Sequence, residues 1–103
     1  MSENEITTDE LRGLLESGEP VSIIDVREQE EVEAGKIPGA RHIRMNEIPE
    51  RLDELDDKEE HILVCRSGRR SGYVTEFLRE QGYRAKNMVG GMLEWEGEIS
   101  RKE

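Results

Sequence analysis

Three short apolar clusters, Val21-Ser22-Ile23-Ile24, Ile62-Leu63-Val64 and Met88-Val89, stand out from a polar background. Each is bounded by polar or turn-forming residues, the pattern of buried strands. Between them, apolar residues recur at helical spacing. Thr7 to Glu10 has the capping-box spacing and opens a helix with Leu11, Leu14 and Leu15 on one face, stopped by Gly18 and Pro20. Val21 to Asp25 reads as a buried strand, and Glu28 to Ala34 as a short acidic helix ended by Gly35. Ile37-Pro38-Gly39-Ala40 is turn chemistry leading to a brief strand at Arg41-His42-Ile43. Asn46 is placed to cap a helix from about Glu47 to Leu55, with Ile48, Leu52 and Leu55 inward and Pro49 in its first turn. His61 to Val64 reads as the next strand, and Ser71 to Gln81 as a helix with Val74, Phe77 and Leu78 as its stripe. Ala85 to Met88 reads as a last strand, and Gly90-Gly91 turns into a final helix containing Met92, Leu93 and Trp95.

Strand and helix alternate throughout, which predicts an α/β fold: a mostly parallel central sheet of about five strands with helices on both faces. The length of 103 residues fits one domain, with its core from about residue 6 to residue 99. No internal repeat, low-complexity tract or linker interrupts it.

Composition changes the picture in two ways. Apolar residues are 33% and charged residues 39% of the chain, so the core is economical and the surface dense in charge. With 15 basic and 25 acidic residues the formal charge is −10, which argues against nucleic acid or anionic membranes as partners. No apolar run approaches the roughly 20 residues of a membrane span. The N-terminus has neither the basic region nor the apolar stretch of a secretion signal. One cysteine excludes an internal disulfide, and a reducing cytoplasm is the expected location.

That cysteine, Cys65, follows directly on Ile62-Leu63-Val64, and in open parallel sheets sites form at the carboxyl ends of strands. It heads the run Cys65-Arg66-Ser67-Gly68-Arg69-Arg70-Ser71. A thiol acts as a nucleophile only when ionised, and a free cysteine has a pKa of roughly 8.5. Arg66, Arg69 and Arg70 bring positive charge, and no acidic residue intervenes before Glu76. The following helix turns its amino end toward the sulfur, and Gly68 lets the backbone curl so that N–H groups point inward as an anion nest. A lone cysteine after a buried strand is commonly just a small core residue. Three arginines, a serine and a glycine, however, are a poor sequence for covering a core.

The chain resembles single-domain rhodaneses, a family of sulfurtransferase modules, from about Ile6 to Ile99. The resemblance rests on Ile24-Asp25-Val26-Arg27-Glu28, on Gly35-Lys36-Ile37-Pro38-Gly39-Ala40 with His42-Ile43, on the Cys65 loop, and on Gly90-Gly91-Met92-Leu93-Glu94-Trp95, in that order. It implies a thiosulfate sulfurtransferase-like enzyme of the rhodanese-like fold. Cys65 would take a sulfane sulfur from a small anionic donor as a persulfide and pass it to cyanide, a small thiol or a protein cysteine. It implies no cofactor and no metal. Ser67, Gly68 and the loop N–H groups would cradle the sulfur, with Arg66 and Arg70 orienting the donor and Arg69 less involved. Arginine after the cysteine resembles thiosulfate-using members, whereas mercaptopyruvate-using members more often have glycine there.

Two rival functions are set against it. Rhodanese-related phosphatases carry five residues between cysteine and arginine, whereas Arg70 follows Cys65 after only four, a tighter loop that suits sulfur better than a phosphoryl group or arsenate. A non-catalytic module, or a persulfide relay serving one protein partner, is the other; non-catalytic modules usually lose the cysteine or the loop cations.

Other residues carry plainer expectations. Asp25 and Arg27 share the carboxyl edge with Cys65 and either support the loop, as Ser71 does, or form a structural ion pair, the preferred alternative. His42 is expected to be a hydrogen-bonded structural histidine. His61, four residues from Cys65, has no further soft ligands nearby for zinc. Trp95 is expected to cap the core, and the acidic stretch from Glu47 to Glu60 to be a solvated face.

Overall fold

The computed structural model describes residues 3–101. Five strands form one parallel sheet: β1 (Glu5–Ile6), β2 (Ser22–Asp25), β3 (Arg41–His42), β4 (Glu60–Val64) and β5 (Arg84–Met88), in the order β1-β5-β4-β2-β3. Three α-helices lie between them: α1 (Thr8–Glu16), α2 (Gln29–Ala34) and α3 (Arg69–Glu80). Two 3-10 stretches, Met45–Glu54 and Gly91–Glu94, complete the chain.

The two residues of β1 precede the expected helix and had no alternation from which to be read; they pair with Asn87 and Met88 of β5. The capping box is formed, with the Glu10 N–H donating to Thr7 Oγ1 at 3.0 Å and the Thr7 N–H to Glu10 Oε1 at 2.8 Å.

The expected helix from Glu47 to Leu55 is instead a 3-10 stretch beginning at Met45, with Arg44 at its amino end and Asn46 inside it. Pro49 has no N–H to return to the Met45 carbonyl, so an α-helical ladder cannot start there. The stretch kinks at Arg51 (φ −120°, ψ 20°). The final helix is likewise shorter than expected. It is one 3-10 turn, because Trp95 takes extended angles and packs back on the core, its indole N–H donating to the Glu98 carbonyl at 2.9 Å.

The central strands are buried on both sides, as in a parallel sheet covered on both faces. Ile24, Leu63 and Cys65 pack with Val74 and Leu78 of α3, with Ile48 of the 3-10 stretch and with Leu55, the residue that follows it. Ile23, Ile62 and Val64 pack on the opposite face with Leu11 of α1, Ile37 and Met88. Strand alternation thus continues one residue past β4 and places the Cys65 side chain on the α3 face. The chain end returns to the loop after α2 through a two-residue antiparallel bridge between Lys36 and Ser100. No described helix is long and apolar enough to cross a membrane.

Candidate functional site

The loop between β4 and α3 is held from two sides. Its first two carbonyls accept hydrogen bonds from the 3-10 turn: Met92 N–H to Cys65 O at 2.9 Å and Leu93 N–H to Arg66 O at 3.0 Å. This approach needs glycine at position 91, where a Cβ would run into the Arg66 carbonyl and φ is +61°. At the other end Gly68 adopts φ +96° as the residue before α3, so that its N–H turns back to Cys65 Sγ at 3.1 Å. The helix begins at Arg69, two residues before Ser71, so Arg69 and Arg70 lie in its first turn.

Cys65 is fully buried beneath this loop. Burial pushes its thiol pKa up, but hydrogen bonds from the Ser71 hydroxyl and the backbone N–H groups of Ser71, Gly68 and Ser67 outweigh it and bring the pKa below its ordinary value. The Ser71 hydroxyl lies 3.3 Å from the sulfur. Among these donors the Ser71 hydroxyl contributes most and the backbone N–H groups of the loop follow.

The three arginines have different surroundings. Arg66 and Arg69 are exposed and make no ion pair among the described residues. Arg70 is half-buried and clasped by Glu31 of α2, with Nη1 donating to Oε2 and Nη2 to Oε1, each at 2.8 Å. The hydrogen bond from Arg70 holds the Glu31 carboxyl at a pKa of about 2.

Asp25 and Arg27 form a buried ion pair. Arg27 Nη2 donates to Asp25 Oδ2 at 2.8 Å and to the Gly35 carbonyl at 2.7 Å, and Arg27 Nε donates to Asp25 Oδ1 at 3.0 Å. The pair ties the end of β2 to the end of α2. Among the described residues no hydrogen bond or ion pair joins it to the Cys65 loop. His42 Nε2 lies 2.7 Å from the Arg27 carbonyl. His61 is buried between Ser22 Oγ, 2.7 Å away, and the Asp56 carbonyl, 2.8 Å away. Among the described residues, no group of three or more His, Cys, Asp or Glu side chains is placed to hold a metal ion.

Two residues of this region escaped the sequence. Glu31 is one of four glutamates between positions 28 and 33, and nothing in the spacing selects it. Asn87 is buried on β5 and bridges the loop: its Nδ2 donates to the Gly68 carbonyl at 3.0 Å, and its Oδ1 accepts from the Ser71 hydroxyl at 2.5 Å. A polar residue inside a short buried strand was the available signal.

A family model for the rhodanese-like domain matches residues 7–98. The chain is 48% identical over 102 residues to a Bacillus subtilis protein named "Putative sulfurtransferase YtwF", covering 99% of both chains. It is 34% identical over 106 residues to the human thiosulfate:glutathione sulfurtransferase, covering 87% of this chain and 90% of that one. The crystal structure of a rhodanese-like domain protein from Staphylococcus aureus superposes with a TM-score of 0.91 at 42% identity, covering 97% of this chain and 99% of that one.

Proposed function

The chain belongs to the rhodanese-like domain family, a membership that supports sulfur transfer in general, and from that premise we propose that it is a thiosulfate sulfurtransferase working through a Cys65 persulfide. The observation that carries this reading is the convergence of hydrogen-bond donors on the one buried cysteine at the mouth of the sheet. Preorganised donors of this kind stabilise a thiolate and any charge carried by an attached sulfur.

In the first step the Cys65 thiolate attacks the outer sulfur of thiosulfate. A new S–S bond forms, the bond to the oxidised sulfur breaks, and sulfite leaves with the electron pair. Cys65 then carries a persulfide whose outer sulfur is anionic. In the second step a thiophile such as cyanide or a thiolate attacks that outer sulfur, and the Cys65 thiolate is regenerated. The covalent intermediate makes the kinetics ping-pong. Arg66 and Arg69, exposed and without ion pairs among the described residues, supply the charge that draws in the donor, with Arg66 next to the nucleophile as the principal fork. Arg70, gripped by Glu31, acts from a fixed position. The buried sulfur favours a slender donor with a terminal sulfur over a bulky one.

The test is a thiosulfate:cyanide assay on the wild type and Cys65→Ser. Thiocyanate is expected from the wild type alone, and a wild type no faster than the variant would remove thiosulfate as the donor.

A further inference from the structure

The Ser71 hydroxyl has one hydrogen and two neighbours able to accept it, Asn87 Oδ1 at 2.5 Å and Cys65 Sγ at 3.3 Å. Which way the Asn87 amide faces is fixed by its other contact. Only the NH2 end can meet the Gly68 carbonyl, 3.0 Å away, so the oxygen end must face Ser71. An amide oxygen cannot donate, so the short contact needs the Ser71 hydrogen. While Cys65 is a thiol this is a consistent arrangement: Ser71 donates to Asn87, and the S–H donates to a lone pair on Ser71. Once Cys65 is a thiolate, the same hydrogen is wanted in two places.

We propose that Asn87 is a positioning residue that competes with the Cys65 sulfur for the single Ser71 hydrogen and so sets how readily the nucleophile ionises. Its role rests on Cys65 being the nucleophile, and it acts only through Ser71. All the parts of this device are buried, with Ser71 fully enclosed and Asn87 9% exposed, so bulk water cannot freely supply the missing bond. Asn87 also lines a cavity of about 250 Å3 with Asn4, Arg69 and Gly72.

Several charged groups surround these residues. Arg66, Arg69 and Arg70 belong to the loop and to α3, Glu28 and Glu31 to the α2 region, and Asp25 with Arg27 to the end of β2. His42 follows on β3, Glu94 lies in the last 3-10 turn, and Arg84 and Lys86 lie on β5, with Glu5 opposite Asn87 on β1. All of them are unchanged by substitutions at positions 71 and 87. Their influence on Cys65 therefore cancels in a double-mutant cycle.

The experiment is the pH dependence of iodoacetamide alkylation, which reports Cys65 alone because the chain has one cysteine. It is run on the wild type, Ser71→Ala, Asn87→Ala and the double variant, with circular dichroism confirming that each is folded. Ser71→Ala is expected to raise the midpoint, since the thiolate loses a donor. Asn87→Ala is expected to lower it by about half a unit to one unit, the worth of one hydrogen bond, and to do so only where Ser71 is present. An equal shift from Asn87→Ala in both backgrounds, or a rise in the Ser71 background, overturns the proposal.

If Asn87→Ala does not fold, Asn87→Asp completes the cycle with the opposite sign. It is expected to raise the midpoint more with Ser71 present than with Ser71→Ala, and equal rises overturn the proposal. Alkylation needs no sulfur donor, so this result and the sulfurtransferase assay fail or succeed separately.

Discussion

Glu31 holds Arg70 by both outer guanidinium nitrogens at 2.8 Å, across the gap between α2 and the first turn of α3. The loop arginine that sequence marks as a donor-binding cation is thus a member of an ion pair. The pair pins the first turn of α3, and with it the position of Ser71, one residue further on.

This pairing makes stability depend on acid pH. The Glu31 pKa falls from 4.5 to about 2 on folding, mainly through the hydrogen bond from Arg70. A depressed carboxylate contributes stability that is complete above its unfolded value and is lost as pH falls through its folded one. Allowing for partial exposure, about 1 kcal/mol should disappear between pH 4.5 and 2 in the wild type. Thermal melts of Glu31→Gln should show a smaller fall over that interval. An identical fall would place the acid sensitivity elsewhere.

The buried ion pair of Asp25 and Arg27 gives a larger effect on stability. Asp25→Ala leaves the Arg27 guanidinium buried without its counter-charge, at a cost of about 3–5 kcal/mol in urea unfolding. The Gly35 carbonyl also loses its bond if Arg27 swings out, so the α2 end should gain hydrogen exchange.

The two glycines that shape the loop should fail in order. Gly68→Ala puts a side chain at φ +96° with its Cβ 3.2 Å from the Gly90 nitrogen, and strain there is on the order of 1–3 kcal/mol. Gly91→Ala has positive φ as well and sets its Cβ against the Arg66 carbonyl, a backbone group that cannot step aside. Melting temperatures should therefore fall further for Gly91→Ala than for Gly68→Ala.

Arg66 and Arg69 separate through kinetics. Removing a charge-assisted contact to the donor anion costs about 1.5–3 kcal/mol, so Arg66→Ala should lower kcat/KM for thiosulfate by roughly 10- to 100-fold. Arg69→Ala should have a smaller effect, reduced further by added salt, as expected for long-range attraction. Equal losses in the two variants would mean that Arg66 has no special place beside the sulfur.

Much of this was legible because the local signals agree with the global fold. Ile62-Leu63-Val64 between polar flanks defines β4, and Cys65 inherits its place at the carboxyl edge from that strand alone. The boundaries moved where one residue overrode a pattern. Pro49 turned an apparent α-helix into a 3-10 stretch, and Trp95, folding back on the core, cut the last helix to a turn. Glu31 and Asn87 were illegible for a different reason. Their roles come from partners 39 and 16 residues away in sequence, and long-range partners leave no spacing to read. The arginines show the same limit: three charges beside a cysteine are visible in sequence, whereas the grip of Glu31 on one of them is not.

The central claim is that Cys65 carries the transferred sulfur, and intact-protein mass spectrometry after thiosulfate treatment tests it most directly. The wild type should gain the mass of one sulfur atom, lose it on adding cyanide, and show no gain as Cys65→Ser. A folded wild type with reduced Cys65 that takes up no sulfur, or a Cys65→Ser variant that takes it up equally, would contradict the account.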